Sequence, residues 1–161
     1  MTNLQTLSLV FLVLVGCSAQ KFSYTINDLD PEAKCLDGSS PAMVVQEGSD
    51  RKKIIIFAVG RSSCTSVGSS IEESLDACAR KTESWEGSSN FRPPNLFNIT
   101  NPGILSSDKT INAFATWTKI ILLNCDGTAF QGNNEDPVEH NGQKLYFRGS
   151  VIMRSNLNWI D

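Results

Sequence analysis

Lys53-Ile54-Ile55-Ile56-Phe57-Ala58-Val59 is the stretch on which the fold is read. It is continuously apolar and rich in β-branched residues, with no polar residue at alternate positions. A strand buried on both faces reads this way, as in the interior of an α/β sheet. Gly60 ends the run, and a Ser/Cys/Thr-rich turn follows it. A second run of the same kind, Lys119 to Leu123, leads into Asn124-Cys125-Asp126-Gly127.

Between the two runs lies a helix signal. Ser69 and Ser70 precede Glu72 and Glu73 at capping-box spacing, and the pattern predicts a helix over Ile71–Lys81. Ile71, Leu75 and Cys78 fall on one face, with acids early and Arg80 and Lys81 late, as the helix dipole favours. Ala42 to Gln46 reads as an outer strand and Lys144 to Phe147 as a third short strand. Arg148-Gly149 opens a final, interrupted helix. Phe22–Lys34 is a polar lead-in; Glu83–Pro102 and Gln131–Gln143 are loops punctuated by Pro, Gly and Asn. The order of strand, helix, strand, strand and helix is an α/β pattern.

The bulk numbers are restrictive in one direction. Fourteen Lys and Arg against seventeen Asp and Glu give a net charge of −3. That balance leaves no footprint for nucleic acid or anionic lipid. The densest basic run, Arg51-Lys52-Lys53, is read as a solvated strand entry.

The N-terminus differs from the rest. Leu7 to Val15 is almost wholly apolar and is followed by Gly16-Cys17-Ser18-Ala19. This is the h-region and cleavage site of a secretory signal peptide, although no Lys or Arg precedes it. The run is shorter than the roughly 20 residues a membrane span requires. Residues 1–19 are therefore expected to be removed near Ala19, leaving an extracellular domain over 20–161 with no membrane attachment. Leu14-Val15-Gly16-Cys17 also fits a lipoprotein box, with Cys17 as the lipidated residue.

Removing Cys17 leaves Cys35, Cys64, Cys78 and Cys125. An even number in an exported chain favours two disulfides, with three connectivities open. No C-x-x-C occurs and His140 is the sole histidine, so neither a metal nor a cofactor is expected. Asn98-Ile99-Thr100 is a glycosylation sequon among prolines. Gly60-Arg61-Ser62-Ser63-Cys64 imitates a nucleophile elbow, which His140 with Asp126 or Asp136 would complete. Ser62 reads better as a turn residue and His140 as part of a solvated loop. Glu72/Glu73 and Glu135/Asp136 read as surface charge, since adjacent residues on a helix do not face each other.

Four motifs in order carry a family resemblance. They are Cys35-Leu36-Asp37-Gly38-Ser39-Ser40-Pro41-Ala42, Gly103-Ile104-Leu105-Ser106, Cys125-Asp126-Gly127-Thr128-Ala129-Phe130-Gln131-Gly132 and Leu145-Tyr146-Phe147-Arg148-Gly149. Together they resemble the pectin acetylesterase family, which includes the Notum-type lipid deacylases. The resemblance implies pairing of Cys35 with Cys125 and of Cys64 with Cys78. It implies a partial α/β-hydrolase-like sheet with flanking helices, incomplete at the C-terminus, and an ester substrate such as an acylated carbohydrate.

Such enzymes use a serine on a strand-to-helix elbow, then an Asp and a His in chain order. The family elbow follows the Leu145–Gly149 motif and its helix. No G-x-S-x-G occurs in these 161 residues, so no catalytic residue is assigned and the chain is expected to be inactive alone. The family's glycine-rich oxyanion loop aligns on Cys64 with Gly60, Arg61, Ser62 and Ser63; backbone N–H groups of Gly60, Ser62 and Ser63 are the oxyanion-hole candidates. Only Gly60 keeps the family's glycine. The rival expectation is a non-catalytic secreted binding module whose open sheet edge a protein partner covers.

Overall fold

A computed structural model describes residues 22–59, 63–65, 68–93 and 103–161. Its main sheet has four strands: β1 (Phe22–Ile26), β2 (Ala42–Gln46), β3 (Asp50–Val59) and β4 (Trp117–Leu123). They lie in the order β1-β2-β4-β3. β1 and β2 pair antiparallel, as do β2 and β4, whereas β3 and β4 run parallel. Helix α1 (Ile71–Lys81) lies between β3 and β4 in sequence. A hairpin of β5 (Val138–His140) and β6 (Gln143–Leu145) precedes helix α2 (Gly149–Ile160).

β4 has neighbours on both sides and splits its side chains between two cores. Ile120 and Leu122 join Met43, Val151 and Ile152 beneath α2. Ile121 and Leu123 join Ala42, Val44, Val59 and Leu105 on the opposite face. A buried Asn27 pins α2 down, donating to Ser155 Oγ at 3.1 Å and Asn156 Oδ1 at 2.9 Å. Lys119 is 1 % exposed and its ammonium donates to the Ala115 carbonyl at 3.3 Å. Burial pushes its pKa down, because the charged form loses hydration.

Several expectations need correction. Among the described residues β3 is not buried on both faces: it is an edge strand that pairs with β4 only. Ile54 is 40 %, Ile56 45 % and Phe57 39 % exposed. A continuous apolar run reports that both faces require burial, not which segment covers them. β2 is an inner strand rather than an outer one, and Phe22–Ile26, read as lead-in, forms the far edge. The segment read as a loop over Gln131–Gln143 contains β5, and the third short strand pairs with β5 outside the main sheet. α2 runs without interruption from Gly149 to Ile160.

α1 has its expected bounds. Ser70 Oγ accepts from the Glu73 N–H and the Glu73 carboxylate accepts from the Ser70 N–H, a complete capping box. The Ser70 N–H and then the Ser70 hydroxyl, both donating to the Glu73 carboxylate, hold that carboxyl below its usual pKa. Of the residues expected to share one face, Ile71 is 81 % exposed and Cys78 is buried. α1 packs on the β5–β6 hairpin rather than on the main sheet.

Candidate functional site

The parallel pair β3 and β4 end at the same edge of the sheet, where ligands gather in open α/β folds. The chain emerging from β3 carries Cys64, and the chain emerging from β4 carries Cys125 to Gly132. The Cys64 N–H donates to the Gly127 carbonyl at 3.0 Å, bringing the two loops together. Disulfides join Cys35 to Cys125 and Cys64 to Cys78, the connectivity that the resemblance implies. Gly127 has φ +72°, and a Cβ there would stand 2.3 Å from Cys64 Sγ. The disulfide thus lies directly on the loop backbone, in the space a side chain would fill.

Asp126 organises this edge. It is fully buried, its Oδ1 accepts the Thr128 N–H at 3.2 Å, and its Oδ2 accepts the Thr128 hydroxyl. The Phe130 and Gly149 N–H groups also donate to it. Burial pushes its carboxyl above the ordinary range, and these hydrogen bonds, which favour the ionised form, offset that only in part. Gly149 is the first residue of α2, and Arg148 at the cap makes no side-chain capping bond. Asp126 therefore serves the N-terminus of α2 from another loop, placing a carboxylate where the dipole favours one.

The remaining motif residues brace the same edge. Arg148, 7 % exposed, donates to the Glu32 carbonyl at 3.1 Å, the Glu32 carboxylate at 3.3 Å and the Asn134 carbonyl at 3.2 Å. The Tyr146 N–H donates to the Leu36 carbonyl, and its ring lies over Gly38. Phe147 packs against Leu36, Cys64, Cys78 and Leu145. Asn112 ties down the Gly103–Ser106 motif, donating to the Ile104 and Ser106 carbonyls. Replacing Arg148 with Met should remove the three hydrogen bonds by which its buried guanidinium ties down Glu32 and Asn134. Urea unfolding should then show a loss of about 1–3 kcal/mol, whereas an unchanged midpoint would show the guanidinium to be dispensable.

A pocket of about 330 Å³ opens between the two loops and α1, with Cys64, Cys78, Leu75 and Phe147 as apolar lining and Ser74 and Thr128 among its hydroxyls. Ser63 is exposed beside it, its Oγ 3.0 Å from Thr65 Oγ1. Gly60 and Ser62, the other oxyanion candidates, lie outside the described residues, as do Asn98 and residues 1–19.

Among the described residues, the His–Asp half of the imitation triad does not assemble. His140, expected in a solvated loop, is a β5 residue only 6 % exposed. Its Nε2 lies 2.7 Å from Asp76 Oδ1 on α1, so its acid partner is neither Asp126 nor Asp136. Asn141 donates to the same Asp76 oxygen at 3.3 Å, and Gln143 reaches Thr82 Oγ1 at 2.8 Å. Sequence reading missed Asp76 because 64 positions separate it from His140 and no motif joins them.

Comparison with known proteins places this geometry. The pectinacetylesterase family model matches residues 17–160. Pectin acetylesterase 7 of Arabidopsis thaliana is 30% identical over 153 residues, covering 93% of this chain and 36% of its own length. Pectin acetylesterase 11 of the same organism is 30% identical over 149 residues, covering 89% of this chain and 34% of its own. The chain thus spans about a third of the length of the curated relatives it matches. Among solved structures, the Wnt deacylase Notum from Drosophila superposes with a TM-score of 0.64 at 18% identity, covering 85% of this chain and 37% of that one. That likeness establishes the α/β-hydrolase-like fold; the family match over nearly the whole sequence establishes descent, and the chain belongs to the pectinacetylesterase family.

Proposed function

We propose that this chain forms the N-terminal part of a secreted carboxylic ester hydrolase acting on acylated carbohydrate. The observation that carries the reading is the convergence of the loops after β3 and β4 beside an apolar pocket, in a chain matched by the family over residues 17–160. In this reading residues 1–19 are a signal peptide cleaved near Ala19, and Asn98 carries a glycan. Two disulfides fit an oxidising compartment. Among the described residues no helix is long and apolar enough to cross a membrane.

The chemistry divides between what these residues supply and what they do not. Backbone N–H groups at Gly60, Ser62 and Ser63 would face the oxyanion formed when a serine attacks the ester carbonyl; one such donor is typically worth about 3–4 kcal/mol. The serine, with its His base and orienting Asp, belongs to the part of the family fold outside these 161 residues. The Cys64–Cys78 disulfide and the hydrogen bond from the Cys64 N–H to the Gly127 carbonyl fix Cys64, the residue that follows Gly60, Ser62 and Ser63, beside the loop after β4. Arg61 and Ser62 carry Cβ atoms where the family has glycine, which disfavours positive φ there. That substitution is the specific observation favouring the second reading, a binding module without hydrolysis.

The transcript and an esterase assay decide between them. Reading frame past the Asp161 codon is expected to encode a strand-to-helix serine elbow. The product of that frame should release acetate from acetylated pectin, and Ser→Ala at the elbow should abolish release. A stop codon after Asp161, together with no ester hydrolysis by the 161-residue product, would leave the binding module standing.

A further inference from the structure

We propose that His140 and Asp76 are positioning residues: their hydrogen bond fixes the orientation of α1 and, through the Cys64–Cys78 disulfide, sets the backbone at Ser63 and Cys64. The catalytic consequence rests on the ester-hydrolase reading, whereas the coupling itself rests on contacts within these residues. α1 packs on the β5–β6 hairpin rather than on the main sheet, so the hairpin decides how the helix is turned. Three hairpin side chains grip it. His140 Nε2 lies 2.7 Å from Asp76 Oδ1, and because a carboxylate only accepts, that nitrogen carries the hydrogen. Asn141 Nδ2 donates to the same oxygen at 3.3 Å. Gln143 Nε2 donates at 2.8 Å to Thr82 Oγ1, at the C-cap of α1. His140 is buried and its acceptor is ionic, which makes this the strongest kind of side-chain hydrogen bond.

Asp76 and Cys78 stand two positions apart in α1, and residues so spaced do not share a helix face. The helix is therefore held by the hairpin on one side and crosslinked to Cys64 on another. The crosslink alone limits the separation, with Cα atoms 5.1 Å apart, but leaves the helix able to turn about it. The Asp76 contact removes that freedom. Beyond the disulfide the connection is stiff. Cys64 Sγ fills the space that a Cβ at Gly127 would need, and the Cys64 N–H donates to the Gly127 carbonyl at 3.0 Å. Cys64 directly follows Ser63, the one oxyanion candidate among the described residues. A turn of α1 is thus passed to the Ser63–Cys64 peptide. Oxyanion donors act by standing in place before charge develops, so a pair that touches no substrate governs turnover through them.

Amide exchange at Cys64, read by NMR on the chain expressed in a secreting host, tests the coupling without any substrate. His140→Leu should speed that exchange about tenfold or more, the scale of a lost hydrogen bond to a charged group, while β4 amides keep their protection. His140→Gln, whose Nε2 still offers a donor to Asp76, should restore slow exchange. Asp76→Ala should match His140→Leu, add nothing to it in the double variant, and replace it as the probe if His140→Leu does not fold. Glu139→Gln, on the same strand in an exposed pair with Lys144, should change nothing. In the product of the longer reading frame, His140→Leu should lower kcat by up to about 100-fold, the scale of a misplaced catalytic group, with KM nearly constant and Gln restoring turnover. Unchanged Cys64 exchange in both His140→Leu and Asp76→Ala overturns the proposal. So does acceleration that spreads to every core amide or that His140→Gln leaves unrelieved, since either marks a purely structural loss. If the wild-type longer product hydrolyses no ester, the catalytic reading fails and exchange alone decides the coupling.

Discussion

A variant with both Cys35 and Cys125 replaced by serine should lose about 4 kcal/mol of stability, the largest loss expected from any single crosslink in this chain. The two half-cystines lie 90 positions apart, whereas Cys64 and Cys78 lie 14 apart. In the chain-entropy account a crosslink stabilises by restricting the unfolded state, and the effect grows slowly with loop length. A loop of about 15 residues is worth about 3 kcal/mol and one of about 100 residues about 4.7. Burial adds to the difference. Cys35 is 0 % and Cys125 3 % exposed within the core beneath α2, so two hydroxyls would replace sulfur in apolar surroundings. The Leu36 N–H also donates to the Cys125 carbonyl at 2.7 Å, a contact the crosslink holds in register. Stability of a domain is typically only about 5–15 kcal/mol, so this loss is a large share of it. Guanidinium unfolding of both serine pairs should rank Cys35–Cys125 above Cys64–Cys78; a reversed order would show that strain or residual unfolded-state structure outweighs loop length.

How much of this was legible in the sequence depends on the range of the interaction. α1 was readable because its determinants are local: Ser70 and Glu73 meet across one turn, and the basic residues close the other end. β4 was readable because Ile120 to Leu123 fill both cores and both neighbours are present. β3 has the same apolar character, yet composition reports what a strand requires and not what surrounds it. β1 escaped because Phe22-Ser23-Tyr24-Thr25-Ile26 is an edge strand whose alternation was too short to stand out from polar flanks. His140 was misplaced for a related reason. A histidine among Glu, Asn and Gly reads as solvated, and only the docking of the hairpin on α1 brings Asp76 to it. The motif residues were visible through resemblance alone. That Asp126, Gly127, Arg148 and Gly149 meet around the start of α2 is tertiary information, and no periodicity encodes it.

Gly149→Ala tests that meeting point and should be strongly destabilising. A Cβ there would stand 2.5 Å from Asp126 Oδ2, 2.8 Å from its Cγ and 2.6 Å from Phe130 Cα. None of these is the loose end of a flexible side chain. Phe130 Cα is backbone, at a residue whose own φ is +64°, and the Asp126 carboxylate is held by Thr128, Phe130 and Gly149 itself. Helix propensity alone favours alanine over glycine by about 1 kcal/mol within a helix. Overpacking typically costs about 1–3 kcal/mol, and here the displaced group is also the hydrogen-bond acceptor for the first N–H of α2. The steric and polar losses act together against the smaller propensity gain, so a net loss of about 3 kcal/mol is expected in urea unfolding. A double-mutant cycle with Asp126→Ala separates the causes. Removing the carboxylate relieves two of the three close contacts, so Gly149→Ala should cost at least about 1 kcal/mol less in the Asp126→Ala background. Simple additivity of the two substitutions would mean that Phe130 backbone alone excludes the methyl group, and that Asp126 does not set the glycine requirement at the start of α2.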